Sequence, residues 1–256
     1  MPVQPERTAP WPTAAPHSAP RPAGEALGLA LAVLSALAML AAVGMVFLYA
    51  PRERTMGDVQ RIFYFHVAAA WVGFAAFAVT CGASAAYLAR RDARHDRLAR
   101  SSGEVGLAFM AMAVVSGALW ARPVWGVYWT WEPRLTISAV QLGVYLAYAM
   151  VRGLVEDPER GARFAAVYGI AAFCTVPLSW FAIRWWRTIH PDIVTGGGGT
   201  GLTAPMARTL LASIVAFSLL YLALLRARTR LEASAERLAR LRLAVEEREE
   251  EMDRGR

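Results

Sequence analysis

The chain has no lysine: all 27 of its basic residues are arginine. It has only two cysteines, Cys81 and Cys174, and neither belongs to a CxxC or CxxCH pattern. Both cysteines lie inside apolar runs, where a free cysteine behaves as a small hydrophobic side chain. The sequence therefore lacks a thiol redox motif and a cysteine-rich metal site, and we expect no disulfide between the two.

Motifs of several enzyme classes are also missing. There is no HExxH, no GxSxG and no pair of carboxylates within an apolar run. The glycines at 196–199, with Thr200 and Gly201, resemble a phosphate-binding loop only in part, because the lysine of that motif is missing. We interpret this segment as a flexible loop.

Charged side chains are absent from six long windows, each of 17 residues or more. The first lies between Glu25 and Arg52, and the others are 62–89, 105–121, 135–151, 164–183 and 209–225. A helix of about 20 residues crosses roughly 30 Å of hydrocarbon, and in lipid each segment must be helical to satisfy its own backbone. The sequence predicts an all-α membrane protein with six transmembrane helices. No charge lies mid-membrane, which argues against a pump or secondary transporter.

Arginine counts orient the six predicted spans. Nineteen arginines lie in the tails and loops on the side of both termini, and eight lie on the other side. Because cytoplasmic loops are enriched in basic residues, we expect both termini in the cytoplasm and the protein in the cytoplasmic membrane. The segment between the third and fourth spans is then extracytoplasmic.

The composition divides the chain into three parts. Residues 1–24 hold seven of the fourteen prolines, which predicts a disordered cytoplasmic tail. Residues 25–226 form the transmembrane domain. Residues 227–256 are predicted to be an amphipathic cytoplasmic helix and tail, because Leu231, Leu238, Leu241 and Val245 share one helical stripe. That stripe could meet a partner or the membrane surface, or be solvated.

Tryptophan is concentrated at one predicted membrane face. Trp120, Trp125, Trp129 and Trp131 lie between the third and fourth spans, and Trp180, Trp185 and Trp186 lie at the outer end of the fifth. An aromatic belt is the structural alternative, but a belt is expected at both faces, and the inner boundaries have no tryptophan. The pattern favours a functional outer surface for a flat, mostly apolar ligand.

Two of the four histidines fall at the same face. His66 lies near the outer end of the second span, and His190 lies in the last outer segment. A lone histidine at a helix end is usually an interfacial polar residue. Two histidines among aromatic and arginine residues can instead supply two imidazoles to a haem iron.

The segment Trp-Gly-Val-Tyr-Trp-Thr-Trp-Glu-Pro-Arg-Leu-Thr, residues 125–136, resembles the WWD signature of membrane haem-handling proteins in cytochrome c maturation. Within that group it resembles the CcmC, or heme exporter protein C, family. Residues 61–67 and 185–190 are similar to the family segments that carry its two axial histidines. The chain departs from the pattern at Glu132, where the family usually has Asp, and at Tyr128, a position that can be Trp.

The resemblance implies that the protein is not an enzyme but displays haem b at the outer face. The haem chaperone CcmE takes the haem there, and CcmD with the ATP-binding-cassette pair CcmA and CcmB completes the complex. It implies His66 and His190 as axial ligands. The expected haem-contacting residues are Arg61, Trp120, Arg122, Trp125, Tyr128, Trp129, Trp131, Glu132, Arg134, Trp185, Trp186 and Arg187.

Among the arginines, Arg134 is the first choice for a haem propionate, because a guanidinium fork matches a carboxylate. Glu132 is expected to orient Arg134 or a loop amide.

Two alternatives stay open from the residues alone: a bis-histidine cytochrome b subunit that transfers electrons, and an adaptor whose aromatic surface docks only a protein. A cytochrome b usually places its histidines inside spans, whereas His190 lies in a loop.

Overall fold

Seven α-helices account for most of the computed structural model, which describes residues 23–155, 157–186, 188–190 and 202–254. They are α1 (Ala23–Gly44), α2 (Arg61–Arg90), α3 (Ala93–Trp125), α4 (Pro133–Val151), α5 (Pro158–Phe173), α6 (Thr175–Trp185) and α7 (Ala204–Arg254). One π-helical turn, Met45–Tyr49, extends α1, and 3-10 turns span Asp58–Gln60 and Arg152–Leu154. The proline-rich tail before residue 23, Arg187 and the glycine run lie outside the described residues.

Six segments of the described chain are long and apolar enough to span a bilayer, as the sequence predicted. They are Gly24–Tyr49, Asp58–Arg90, Ala93–Trp125, Pro133–Val151, Pro158–Trp185 and Ala204–Arg254. Large apolar side chains on these helices, such as Leu40, Val115 and Leu211, are exposed in the isolated chain. An outward apolar surface of this kind is what a lipid-facing helix presents. The all-α membrane fold is therefore confirmed.

The fifth span is divided in two, which its charge-free run did not reveal. Helix α5 ends at Phe173 and α6 begins at Thr175, with Pro177 in the first turn of α6. Proline has no backbone N–H and cannot continue the helical hydrogen bonds. The break is tied by Thr175, whose Oγ1 donates to the Ala172 carbonyl at 2.7 Å and accepts from Gln141 Nε2 at 3.2 Å.

Helices α2 and α3 form the central pair of the bundle. Only Arg91 and Asp92 connect them: Arg91 ends α2 in the left-handed conformation, and Asp92 caps α3 by accepting from the Arg94 N–H at 2.8 Å. That N–H holds the pKa of Asp92 below its ordinary value. The helices approach closely because small residues line their contact; a Cβ on Gly106 would lie 2.8 Å from the Ala76 Cβ.

Helix α7 continues as one helix for 51 residues, far beyond its apolar part. Its charged extension is held to the start of α3 by ion pairs. Arg228 Nε lies 2.6 Å from Glu104 Oε2, and Arg100 Nη1 lies 2.9 Å from Glu232 Oε2. The leucine stripe predicted on this extension faces outward, with Leu231, Leu238 and Leu241 all exposed. The polar face of the extension thus makes its contacts with the bundle.

Candidate functional site

His66 lies on the second turn of α2 and leans against α3. Its Nδ1 lies 2.8 Å from the carbonyl oxygen of Ala113. A carbonyl oxygen only accepts, so Nδ1 carries the proton in this bond. The other ring nitrogen, Nε2, then keeps a free lone pair. A hydrogen bond of this kind orients a metal-ligating histidine and strengthens it as a donor.

His190 brings a second imidazole to the first. The two ring centres lie 6.4 Å apart, with 45° between the ring planes. A metal ion about 2.0–2.1 Å from one nitrogen of each ring, with the two nitrogens on opposite sides of the ion, places the two ring centres about 6–6.5 Å apart. The interplanar angle stays free, because each ring can rotate about its bond to the metal. The separation therefore fits one metal ion between two imidazoles.

Within the described residues, no group of three or more His, Cys, Asp or Glu side chains could hold a metal ion. Two imidazoles alone leave four positions of a six-coordinate ion open. A porphyrin fills those four positions with its own nitrogens, and proteins hold such an iron with two axial side chains. The donor set fits a haem better than a bare ion.

A cavity of about 440 Å³ adjoins the two histidines. Its volume falls in the usual range of ligand pockets, roughly 300–1,000 Å³. The walls are mostly apolar and come from the segment before α2, from α2 and α3, from the loop after α3 and the start of α4, and from the segments around His190 and the start of α7. The lining includes Phe63, His66, Phe74, Met110, Val114, Gly117, Trp120, Trp125, Trp129, Arg134, Ile189, His190, Leu202 and Met206.

The predicted aromatic residues divide into two groups. Trp120, Trp125 and Trp129 line the cavity. The Trp120 ring lies 6.0 Å from the His66 ring and 5.7 Å from Phe63. The second group lies outside the cavity lining and is exposed, and it comprises Tyr128, Trp131, Trp185 and Trp186. Trp131 joins the two groups: its ring packs edge-on against Trp129 at 5.7 Å, while 78% of the residue is exposed.

Arg134 is the predicted arginine that lines the cavity. Its Nη1 donates to both the backbone carbonyl and the Oγ of Ser179 on α6, the latter at 2.8 Å, and its guanidinium lies 5.7 Å from the centre of the Phe74 ring. Glu132 accepts from the Leu135 N–H at 2.9 Å through Oε1, which caps the start of α4. Both residues therefore fix local structure at the cavity wall.

The structure places Arg61 and Arg122 outside the cavity lining. Arg61 donates to the Val46 carbonyl through Nη1 and lies 3.2 Å from Asp58 through Nε. Arg122 donates to the Gly126 carbonyl and lies 5.6 Å from the centre of the Tyr128 ring. Arg187 is outside the described residues. The structure thus brings one of the four predicted arginines to the histidines.

Five buried polar atoms of the tryptophan-rich segment have no hydrogen-bond partner in the described chain: the indole N–H groups of Trp120 and Trp129, the hydroxyls of Thr130 and Thr136, and Oε2 of Glu132. Others lie elsewhere in the helix bundle, as at Ser101 and Tyr145. An unpaired buried polar atom costs about 1–3 kcal/mol. A ligand with a polar edge next to an apolar body could supply these partners, as the carboxylates of a haem do.

Several cavity residues were not predicted from the sequence. Glu53, Gln60, Gly117 and Ser138 all contribute to the lining. Glu53 lies before the second span, and the backbone N–H of Met56 holds the pKa of its carboxyl below the ordinary value. Nothing in the sequence distinguished Gly117, because small residues recur throughout the apolar helices.

Comparison with known proteins agrees with the fold and the motif. The model of the family described as CcmC, Heme exporter protein C, matches residues 11–244. The chain is 34% identical over 195 residues to "Heme exporter protein C" of Bradyrhizobium diazoefficiens, which covers 76% of this chain and 74% of that protein. It is 30% identical over 193 residues to the protein of the same name from Paracoccus denitrificans, covering 75% and 80%. A "Putative cytochrome c biosynthesis ccmC-like mitochondrial protein" of Arabidopsis thaliana is 28% identical over 201 residues, covering 77% and 73%.

Proposed function

Because the chain belongs to the Heme exporter protein C family, we propose that it binds haem and presents it at the outer face of the cytoplasmic membrane. The haem chaperone CcmE then takes the haem for cytochrome c maturation. Haem is cargo in this scheme, held for transfer rather than retained. The observation that carries the proposal is the 6.4 Å separation of the His66 and His190 ring centres beside an aromatic cavity.

His66 and His190 are the proposed axial ligands of haem b. The Ala113 carbonyl accepts a hydrogen bond from Nδ1 of His66 and holds its ring against α3. His190 lies after the end of α6, outside the α2–α3 pair. A ligand on a segment beyond the bundle can move away with less repacking than a ligand within it. We therefore assign His66 to holding the haem and His190 to releasing it.

The aromatic groups have separate proposed roles. Trp120, Trp125 and Trp129 contact the porphyrin within the cavity, while Tyr128, Trp131, Trp185 and Trp186 form the exposed surface that the chaperone approaches. Aromatic side chains suit such a surface because they bury large area with few rotatable bonds. Arg134 pairs with a propionate, since among the predicted arginines of the described chain it is the one in the cavity lining.

The orientation follows from the arginine distribution, with both termini in the cytoplasm and the cavity outside. CcmD and the ATP-binding-cassette pair CcmA and CcmB complete the proposed complex. The sequence has no nucleotide-binding motif of its own, so ATP is handled by a partner. This chain therefore binds and transfers its cargo without catalysing a reaction.

The test is transfer of haem to the chaperone in membranes that contain the whole complex. His190→Ala should reduce haem-loaded chaperone at least tenfold, while the protein stays in the membrane. His95→Ala is the matched control, because His95 does not line the cavity. A cytochrome b subunit would instead give unchanged chaperone loading in His190→Ala but lost electron transfer, and that result would refute the proposal.

A further inference from the structure

We propose that Gly117 is a positioning residue for His66. The lack of a side chain at Gly117 lets the imidazole lie directly against α3, where the Ala113 carbonyl fixes its tautomer. This inference rests on the proposed ligation of haem by His66, and it adds the element that holds this ligand in place.

The contact between Gly117 and His66 leaves no room for a methyl group. A Cβ on Gly117 would lie 2.8 Å from His66 Cε1 and 3.2 Å from His66 Nδ1. Ordinary contacts begin at 3.4 Å, so the ring or the helix must move, and restoring an ordinary contact takes about half an ångström. Metal and catalytic sites need their ligands within about 0.5 Å of the working geometry. An alanine here therefore displaces the ligand by a functionally significant distance.

The backbone of Gly117 does not itself require glycine. The glycines with positive φ in the described chain are Gly57 and Gly126, so Gly117 has the ordinary helical conformation that alanine adopts readily. In a helix interior, glycine is destabilising relative to alanine. The benefit that offsets this cost lies in the space that glycine leaves for the His66 ring.

Ala113 and Gly117 are one helical turn apart and lie on the same face of α3. The ring covers both: Nδ1 meets the Ala113 carbonyl at 2.8 Å, and Cε1 lies over Gly117. Ser116 is not an equivalent partner, because its Oγ is 3.4 Å from Nδ1 and is 2.7 Å from the Met112 carbonyl, to which it donates. The carbonyl of Ala113 is thus the principal partner of the ring.

An added methyl group would push the His66 ring away from α3 and towards the cavity that it lines. Trp120 lies on one side with its ring centre 6.0 Å from that of His66, and His190 lies at 6.4 Å. Moving away from α3 lengthens the Nδ1 hydrogen bond and changes the position of the His66 ring relative to that of His190. Gly117→Ala should therefore reduce the preference of His66 for the Nδ1–H tautomer and misalign the two ligands.

A matched control distinguishes the positioning of His66 from a purely structural role for Gly117. Gly106 lies on the same helix, and a Cβ there would be 2.8 Å from the Ala76 Cβ on α2. Gly106→Ala thus introduces a clash at least as severe between the same two helices, away from His66. Ser116→Ala is a second control, because it removes the nearby hydroxyl and keeps the carbonyl.

The first experiment compares absorption spectra of haem-loaded protein for wild type, His66→Ala, Gly117→Ala, Gly106→Ala and Ser116→Ala. We expect His66→Ala to lose the six-coordinate low-spin spectrum. Gly117→Ala should become a mixture of low-spin and high-spin forms with roughly tenfold weaker haem retention. Gly106→Ala and Ser116→Ala should keep the wild-type spectrum. A wild-type spectrum and retention in Gly117→Ala, with His66→Ala altered, overturn this inference but leave the proposed function intact.

The second experiment needs no haem and no variant that must fold. Nitrogen NMR of ¹⁵N-histidine-labelled, haem-free protein reports the tautomer of His66. We expect the Nδ1–H tautomer, with its proton slow to exchange. A predominant Nε2–H tautomer overturns the inference, whatever the behaviour of Gly117→Ala. If the tautomer is as expected but His66→Ala leaves the haem spectrum unchanged, the proposed function fails instead.

Discussion

Arg134 at the start of α4 donates through Nη1 to both the carbonyl and the hydroxyl oxygen of Ser179 on α6. The two residues are 45 positions apart in sequence and join the tryptophan-rich segment to the second half of the fifth span. The pair anchors the cavity wall to the helix that leads to His190. Arg134 is therefore both a structural tie and the proposed propionate partner.

Removing the Ser179 hydroxyl should loosen this tie. A hydrogen bond from a charged donor contributes about 1.5–3 kcal/mol. Ser179→Ala should lower the free energy of unfolding by roughly that amount and reduce the Tm in detergent by several degrees. Ser218→Ala is the control, because the Ser218 hydroxyl bonds only within α7, to the Ile214 carbonyl. Equal Tm values for the two variants would argue against the tie.

The two aromatic groups should respond differently to truncation. Trp129 lines the cavity, while Trp131 is 78% exposed. Trp129→Ala should weaken haem retention, since it removes a wall of the site. Trp131→Ala should keep bound haem but slow its transfer to the chaperone. Measurement of haem content and chaperone loading in the same membranes tests this, and a loss of haem retention in Trp131→Ala but not in Trp129→Ala contradicts it.

Glycines in the helices should differ sharply in their tolerance of alanine. A Cβ on Gly103 would lie 2.5 Å from Tyr148 Cε1, whereas a Cβ on Gly143 meets nothing within 4 Å. Gly103→Ala should cost about 1–3 kcal/mol through overpacking. Gly143→Ala should be neutral or stabilise by up to about 1 kcal/mol. Thermal unfolding in detergent distinguishes them, and equal effects would mean that the helices adjust freely.

The more deeply an ion pair of the α7 extension is buried, the more it should stabilise the extension. The Glu232 side chain is 10% exposed and contacts both Arg100 and Arg228. Glu232→Gln should destabilise the extension by about 1–3 kcal/mol, between the values for exposed and buried pairs. Limited proteolysis between residues 226 and 254 measures this effect.

Glu250→Gln provides the comparison for that experiment. Glu250 pairs with Arg254, and both side chains are at least 70% exposed. This change should have almost no effect, because exposed pairs are screened by water and salt. Faster cleavage in Glu250→Gln than in Glu232→Gln would contradict the account of the extension.

The amino-acid sequence was sufficient for the six spans, and it singled out two histidines whose rings the fold brings within 6.4 Å of each other. Runs without charge identify spans because unpaired charges are costly in lipid, and this signal is local in sequence. The absence of charge did not reveal the break at Cys174, although Pro177, which cannot continue the helical hydrogen bonds, was a signal for it. The hydrogen bond from Gln141 to Thr175 at the break joins residues distant in sequence.

The sequence indicated which segments form the cavity better than it indicated which of their residues line it. Trp129 and Trp131 are two residues apart, yet one lines the cavity and the other is exposed. Spacing alone could not separate them, because the segment leaves the regular helical repeat after Trp125. Arg61 was expected near haem but is held by Asp58, three residues earlier, and by the Val46 carbonyl, which only the folded chain brings close. Gly117 was missed because its role depends on a ring from another helix.

The most direct test of the central claim is the absorption spectrum of purified haem-loaded protein, oxidised and reduced. Wild type should give a six-coordinate low-spin spectrum, and His66→Ala and His190→Ala should each lose it while accumulating in the membrane. His95→Ala should match wild type. If both His66→Ala and His190→Ala keep the wild-type spectrum, these histidines do not hold the iron and the central claim is wrong.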